Sequence, residues 1–444
     1  MKKRSCNKTA ALCGLILLAI SSAVLGGCGK SEILVPDAKT VLPSYPESID
    51  QEKDWDKWRK NQDENEVPQS FIESQSGFTF TTARELLDGR EENLVYSPAS
   101  LYYALSLAAS GTRGETAGEL YRFLGVEDPD SAAEYAGRLY RILYCDSSIS
   151  QMRMATSLWV DQSMSLKEEF TKTAAARYYA SLHTVDFSDE KTGKEMGKWV
   201  KENTKGTIVP EIRVEAQQLM HLMNTVYFYD EWIDRFNQSA TKKGAFHLAD
   251  GTTEETDFMN ATYGSHNYRN GDGFVSSSLG LKENGSMVFV LPDEGVPVDS
   301  LFETPDRLKE VLEGGESHMG EVVFQVPKFT ADTHSDIREV MIKLGITGIF
   351  EDGDFSGMTD NKGIYISSIT QDGHIAIDEK GVEASAFTDI TYAGAALPEG
   401  RADLILDRPF LYGIEKNGVW LFIDGNMAVL GDGGDINPFI ICHS

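Results

Sequence analysis

Asn93-Leu94-Val95-Tyr96-Ser97-Pro98-Ala99-Ser100 reads as a turn running into the start of a helix. The Ser97 hydroxyl is placed to accept from the unpaired N–H groups of a first turn, and Pro98 stands where a missing N–H does no harm. Leu101, Ala104, Leu105 and Ala108 follow at helical spacing, and Gly111 ends the run. The pattern predicts a buried helix with a small-residue face. A second stripe, Ile337, Val340, Met341 and Leu344, repeats it with Gly345 as the stop. Strand-like runs lie at 286–291, 322–326 and 419–423. Helices and strands mix without the regular alternation of a doubly wound sheet, so the expected class is α+β.

The chain around this stretch has 444 residues, with 41 Lys and Arg against 69 Asp and Glu and a net charge of −28. Such a surface repels phosphate backbones, which argues against nucleic acid as a partner. With 41% apolar and 10% aromatic residues the chain is globular rather than disordered. Its one membrane-like run is at the N-terminus, where Lys2, Lys3, Arg4 and Lys8 precede an apolar stretch from 10 to 25. That stretch is short for a span and ends in small residues, the pattern of a secretory signal. Leu25-Gly26-Gly27-Cys28 resembles a bacterial lipobox. The resemblance implies cleavage before Cys28, acylation of its sulfur, and an extracytoplasmic protein anchored to a bacterial membrane by lipid. Several acyl chains, at about 0.8 kcal/mol per buried methylene, would hold it stably. Removal of residues 1–27 takes four basic residues and no acid, so the mature chain carries −32.

Residues 28–69 contain Pro36, Pro43 and Pro46 and a charged stretch from 50 to 66. They read as an extended acidic linker with one amphipathic helical piece around Trp55 and Trp58. Residues 70–444 show no repeat and no second linker, and are expected to form one domain. Of five cysteines, Cys6 and Cys13 leave with the signal, Cys28 takes the lipid, and Cys145 with Cys442 cannot build a disulfide framework. No glycine-flanked nucleophilic serine, phosphate-binding loop or HExxH motif is present, so an enzyme is the weaker reading and no cofactor or metal is implied.

A family resemblance emerges from many collinear motifs. The opening stretch continues into Thr116, Glu119 and Leu120. Trp199-Val200 follows with Thr204, Gly206 and Ile208, then Asn224-Thr225-Val226-Tyr227-Phe228 with Trp232 and Phe236. Further on stand Leu291-Pro292, Val326-Pro327-Lys328-Phe329, Leu344-Gly345, Asp354-Phe355-Ser356-Gly357, Asp378-Glu379-Lys380-Gly381 and Asp407-Arg408-Pro409-Phe410. Together these resemble the serpins, conformationally mobile inhibitors of serine proteases. The resemblance implies three β-sheets, eight to nine helices and an exposed reactive loop between Gly381 and Arg408. It also implies the partner, a serine protease trapped as an acyl-enzyme while the cut loop inserts into the main sheet as a new strand. The protein would then be a monomeric inhibitor, not an enzyme. The alternative is a non-inhibitory member of the fold acting as a binding module at the cell surface.

The loop can be read against this mechanism, because side chains alternate faces along a strand. From the hinge Glu379 and Gly381, one face receives Val382, Ala384, Ala386 and Thr388, all small and uncharged. The other receives Glu383, Ser385, Phe387 and Asp389, including both acids. That segregation suits a strand with one face in a core, where an unpaired carboxylate costs several kcal/mol. Sixteen positions after Glu379 the family's spacing points to Ala395–Ala396 as the scissile bond, with Tyr392, Ala393, Gly394 and Leu397 around it. A small apolar residue there suits the shallow pocket of elastase-like or subtilisin-like proteases and cannot pair with the acid of a trypsin-like pocket. Ser97, Ser100 and Asn224 match the polar cluster beneath the central strands, and Trp232 with Glu379 matches the top, where insertion begins. Gln371 takes the place of the histidine usual in that cluster, so little pH-dependent gating is expected from that position.

Overall fold

Helix α3 (Pro98–Gly111) forms as its cap predicts: Ser97 Oγ accepts from Ser100 N at 3.2 Å, and every residue but Ser110 is buried. Gly111 is the last helical residue rather than a left-handed cap, and its bare Cα makes room for Met358, which an added Cβ would overlap. Gly345 does supply a left-handed stop (φ 87°), after a helix shorter than its stripe suggested, α9 (Arg338–Lys343). The computed structural model describes residues 40–426 except 52, 91, 284 and 383–399. All belong to one compact unit, Ile33–Ser444; a separate N-terminal unit, Met1–Glu32, lies outside the described residues.

The main sheet runs in the order β1 (Thr40–Val41), β4 (Ala180–Val185), β3 (Ser150–Asp161), β5 (Met220–Glu231), β13 (Gly381–Val382), β12 (Ser368–Ile377) and β11 (Phe329–Asp336), with β2 (Cys145–Asp146) on β3. The second ladder runs β14 (Arg401–Ile405), β10 (Glu316–Pro327), β7 (Thr253–Gly271), β8 (Phe274–Gly280), β9 (Ser286–Pro292), β15 (Phe410–Lys416) and β16 (Val419–Asn426), with β6 (Lys242–His247) on β7. This ladder has two parts. β6, β7, β10 and β14 pair with one another, while β8, β9, β15 and β16 form the rest, joined only through the last four residues of β7. The expected three sheets are thus two hydrogen-bonded ladders, one of them bipartite. The strand-like runs of the sequence fall in β9, β10 and β16.

Helices α2 (Gln69–Leu87), α4 (Gly114–Phe123), α5 (Pro129–Leu143), α6 (Glu168–Arg177) and α8 (Pro305–Glu313) complete the body around α3, which packs on β5 and β16. On the opposite face of the main sheet, α7 (Glu190–Asn203) contributes Met196, Trp199 and Val200 to a separate cluster with Ala155, Trp159 and Met223. Alternate residues of β5 therefore serve two layers: Leu222, Val226 and Phe228 join the main core, and Met223 joins the α7 cluster.

The expected linker needs correction. From Thr40 the chain is packed on the body, with Thr40 and Val41 paired to His183 and Leu182 at the edge of the main sheet. The Tyr45 ring stacks on Tyr144 (centroids 5.9 Å) and lies 4.3 Å from the Arg153 guanidinium. Ser48 Oγ accepts from Asp146 N at 2.7 Å. The helical piece does form, as α1 (Trp55–Glu64) capped by Asp54, with the Trp55 and Trp58 rings 5.0 Å apart. Asn61 and Asn65 tie it to Arg141. The folded body thus includes residues 40–69, and a boundary at 70 is too late. Polar composition concealed a few well-placed anchors.

Candidate functional site

The two central strands of the main sheet meet over half their length and part above it. β5 and β12 pair directly and in parallel from His221↔Ser368 to Val226↔Gly373. Higher up, β13 stands between them, antiparallel to both, with Gly381 opposite Glu231 and Val382 between Asp230 and Ile377. Gly381 is required by this close approach, since a Cβ there would overlap the Asp230 carbonyl and the Glu231 Cα. The slot for an added strand is therefore started at the top and shut below.

The top is fixed by interlocking hydrogen bonds. Trp232, fully buried, donates from Nε1 to the Asp378 carbonyl at 2.9 Å and from its backbone N to the Lys380 carbonyl at 3.0 Å. The Phe236 backbone N donates to the Glu379 carbonyl at 2.9 Å. The buried Glu379 carboxylate accepts from Thr241 Oγ1 at 2.7 Å and pairs with Lys328 Nζ at 2.9 Å. Burial alone would raise the Glu379 pKa, and the hydrogen bonds from Lys328 and Thr241 outweigh it, so the group stays ionised below the usual range. Thr241 and Lys328 were missed as site residues. Lys328 lay inside the quoted Val326-Pro327-Lys328-Phe329 motif, but nothing in its spacing points at a glutamate 51 residues on.

The closed half is tied by amides. Gln371 Nε2 donates to the Ser97 carbonyl at 3.0 Å and to Asn224 Oδ1 at 3.1 Å, while its Oε1 accepts from Ser97 N at 2.9 Å. Asn224 Nδ2 continues to Thr156 Oγ1 at 3.2 Å. One buried side chain thus bridges the cap of α3, β5 and β12, and through Asn224 reaches β3. Ser97, Asn224 and Gln371 are brought together as the sequence suggested. Ser100 enters only through its backbone N–H, and its hydroxyl is buried without a partner. Gly373 lets β12 lie against Val95, which a Cβ would meet at 2.8 Å.

Of the hinge residues, Glu379, Gly381 and Val382 are described; Glu383, Ala384, Ser385 and Ala386 lie outside the described residues. So do Tyr392, Ala393, Gly394, Ala395, Ala396 and Leu397, and likewise Cys28 and Cys442. On the far side of the loop, β14 pairs in parallel with β10, and Arg401 pairs with Glu321 and Asp403. Cys145 is buried, and its thiol is pushed up to about 12 by burial and the neighbouring Glu283, so it is protonated and not nucleophilic.

The family model described as Serpin (serine protease inhibitor) matches residues 73–425. Serpin-Z7 of Hordeum vulgare is 30% identical over 360 residues, covering 76% of this chain and 89% of that protein. Among solved structures, Arabidopsis AtSerpin1 in its native stressed conformation is similar with a TM-score of 0.72 and 26% identity, over 81% of this chain and 99% of that one. The thermophilic serpin tengpin, in the native state, has a TM-score of 0.74 at 24% identity, over 82% and 95%. The chain belongs to the serpin family, whose members are typically protease inhibitors rather than enzymes.

Proposed function

We propose that this protein is a single-use inhibitor of elastase-like or subtilisin-like serine proteases, acting by insertion of its cleaved loop into the main sheet. The observation that carries this reading is the slot itself: β13 already occupies its mouth in antiparallel register with both neighbours. Continuing that register, an inserted strand would bring Ala384 between Phe228 and Ile375, and Ala386 between Val226 and Gly373. Thr388 would arrive between Asn224 and Gln371. These three follow Val382 on the face that packs toward α3, where Phe228, Ile375 and Val226 are all buried. The match is chemical as well as steric. Insertion must break the Gln371–Asn224 hydrogen bond, and a threonine hydroxyl, which both donates and accepts, is the residue delivered to that row.

About fifteen residues laid in at roughly 3.3 Å each would carry an acylated protease on the order of 50 Å, and distortion of its oxyanion hole would stop deacylation. Pairing six further residues on each side of a shut seam supplies the driving force, a known mode of stored-strain release. Incubation with pancreatic elastase and with subtilisin tests the proposal. The expected result is an SDS-stable complex with a cut after Ala395 and a more heat-resistant cleaved form. Clean proteolysis without a complex and without stabilisation would refute it.

We also propose lipid attachment at Cys28 and an extracytoplasmic location, on the strength of residues 25–28 alone. Serpin-Z7 and AtSerpin1 are plant proteins and the family match begins at residue 73, so neither lends support to a bacterial lipoprotein. Mass spectrometry of the mature N-terminus decides it: a diacylglyceryl cysteine supports the reading, and an unmodified or uncleaved N-terminus ends it.

A further inference from the structure

The outer face of the seam between β5 and β12, on the side away from α3, is lined by polar groups that the closed sheet leaves unsatisfied. On β5, His221 Nδ1 and Thr225 Oγ1 are buried without partners; on β12, Asp372 Oδ2 is in the same condition. Thr225 and Asp372 are directly opposite each other in the register. His221 reaches across to Thr370 Oγ1 at 3.4 Å, a marginal contact. Native interiors rarely keep such atoms, and where several line one joint, each is a cost that opening to water would remove. These residues are distinct from the amide cluster on the other face, which does not titrate.

Among the described residues the fully buried Asp372 carboxylate has one ionic partner, His334 on β11, whose Nδ1 stands 2.7 Å from Oδ1. His334 is itself half-exposed. One row up, His374 and Asp332 make the mirrored pair at 2.5 Å, so two histidines and two aspartates alternate over four positions of one face. Asp336 lies on the same strand and also favours a charged His334. Arg338 at the start of α9 is turned to the Phe350 ring at 5.3 Å, and α7 meets β5 through apolar side chains. Among the described residues the charged and titratable groups on this face are therefore His221 from β5, Lys205 over the Tyr227 ring at 5.5 Å, and His334, Asp336, Asp372, Asp332 and His374 from the other side.

We infer that the β5–β12 seam is a pH-gated closure, held shut at weakly acid to neutral pH by a neutral His221 on one strand and a charged His334 beside Asp372 on the other. The signs follow from burial and charge. The hydrogen bond and charge of Asp372 raise the His334 pKa above its ordinary value against the effect of burial. Opening the seam hydrates Asp372 and weakens that hold. The contribution of His334 is thus complete below about pH 6.5 and is lost as pH rises through its raised value. His221 is the reverse case, pushed down to about 4 by burial and then by the charge of His334. Its contribution is complete above about pH 6.5 and is lost as pH falls toward 4. Both contributions are whole only near pH 6.5, and the seam opens more readily on either side.

This regulation matters to the protein's action through the loop-insertion reading above, but the seam can be tested without a protease. Hydrogen exchange of the full chain, followed in peptides covering 221–226 and 368–373 and corrected for intrinsic rates, reads seam opening directly. Opening is expected to be slowest near pH 6.5, at least about fivefold faster at pH 5, and faster again at pH 8.5; one proton allows up to about tenfold per pH unit. His334→Gln should abolish the alkaline limb and His221→Gln the acid limb. Asp372→Asn, which removes the need for a cation, should also flatten the alkaline limb and serves if His334→Gln does not fold. Opening independent of pH in the wild type, or limbs that survive these substitutions, would overturn the inference. A synthetic peptide copying residues 381–391 separates the two claims. Annealing at a pH-independent rate sinks the gate and leaves loop insertion standing, whereas a pH-gated seam in a protein that traps no protease sinks loop insertion and leaves the gate.

Discussion

Ala384→Glu puts the insertion argument at risk at one position. In the extended register this residue arrives between Phe228 and Ile375, which are 1% and 0% exposed on the face toward α3. Among the described residues that row consists of the buried apolar side chains Met152, Phe228, Ile375 and Ala331, so a carboxyl brought there must enter protonated. Protonating a glutamate of ordinary pKa near 4.3 at pH 7.4 costs about 4 kcal/mol, since each unit is 1.36 kcal/mol. If half of this is felt in the transition state for insertion, the inserting rate falls about 30-fold, and up to about 1000-fold if all of it is. Deacylation of the protease is untouched, so the reaction shifts from trapping to turnover. Titration of elastase should show the ratio of cleaved to trapped inhibitor rising by at least about 30-fold, and with it the number of inhibitor molecules consumed per enzyme, as cleaved inhibitor replaces complex on SDS gels. Ser385→Asp is the control. In the same register it would put a carboxylate on the opposite face, beside the polar ends of His374 and Tyr227 instead of the apolar row, and should leave the stoichiometry within about twofold. An unchanged stoichiometry for Ala384→Glu, or equal damage from both, would refute the assignment of faces.

Three further outcomes are expected. Lys328→Met leaves the buried Glu379 without its cation and should lower stability in urea by about 2–3 kcal/mol, the partial exposure of Lys328 moderating the loss; because the Glu379 pKa is depressed, the wild-type advantage should fade as pH falls below about 4.5, and a difference independent of pH would count against the pair. Tyr45→Ala removes a ring held between Tyr144 and Arg153 and should cost about 1–2 kcal/mol, with limited proteolysis appearing first in residues 40–50; unchanged protection there would show that the segment is not anchored by this ring. Asp424 is fully buried, accepts from Tyr96 N at 2.6 Å, and has its pKa raised well above the ordinary value by burial. Its contribution is present at low pH and lost as pH rises through that raised value, so Asp424→Asn should gain thermal stability over wild type at pH 8 and lose the gain near pH 4.

Local signals carried the element types, and long-range pairing carried what they could not. The Ser97 cap, the small-residue face of α3 and the Gly345 stop were legible because each depends on residues within one or two turns. Of the hinge's expected inward face only Val382 is among the described residues, and it is buried. Gly111 was read as a stop and proved to be a contact point for Met358, 247 residues away, which no local pattern encodes. The pairs Lys328–Glu379 and His334–Asp372 likewise exist only through sheet register. Residues 40–69 misled for a different reason: one tyrosine, two residues of edge pairing and three asparagine and serine contacts hold a segment whose average composition is that of a solvated linker.

The close approach of Gly381 to Asp230 and Glu231 has a consequence for fidelity. A strand entering a sheet from solvent can pair one residue out of phase, and such a slip would turn Glu383, Ser385, Phe387 and Asp389 toward α3. Here the phase is chosen before any bond is cut, because Val382 is already paired on both sides and no bulkier residue than glycine fits at the step before it. On the proposed mechanism, insertion would resemble the closing of a zipper whose slider is already seated: each row would engage only after the one above it, and mispaired intermediates would be excluded from the start. Gly381→Ala should reveal this by yielding protease-resistant inserted forms of more than one register, distinguishable by the cleavage points that remain accessible.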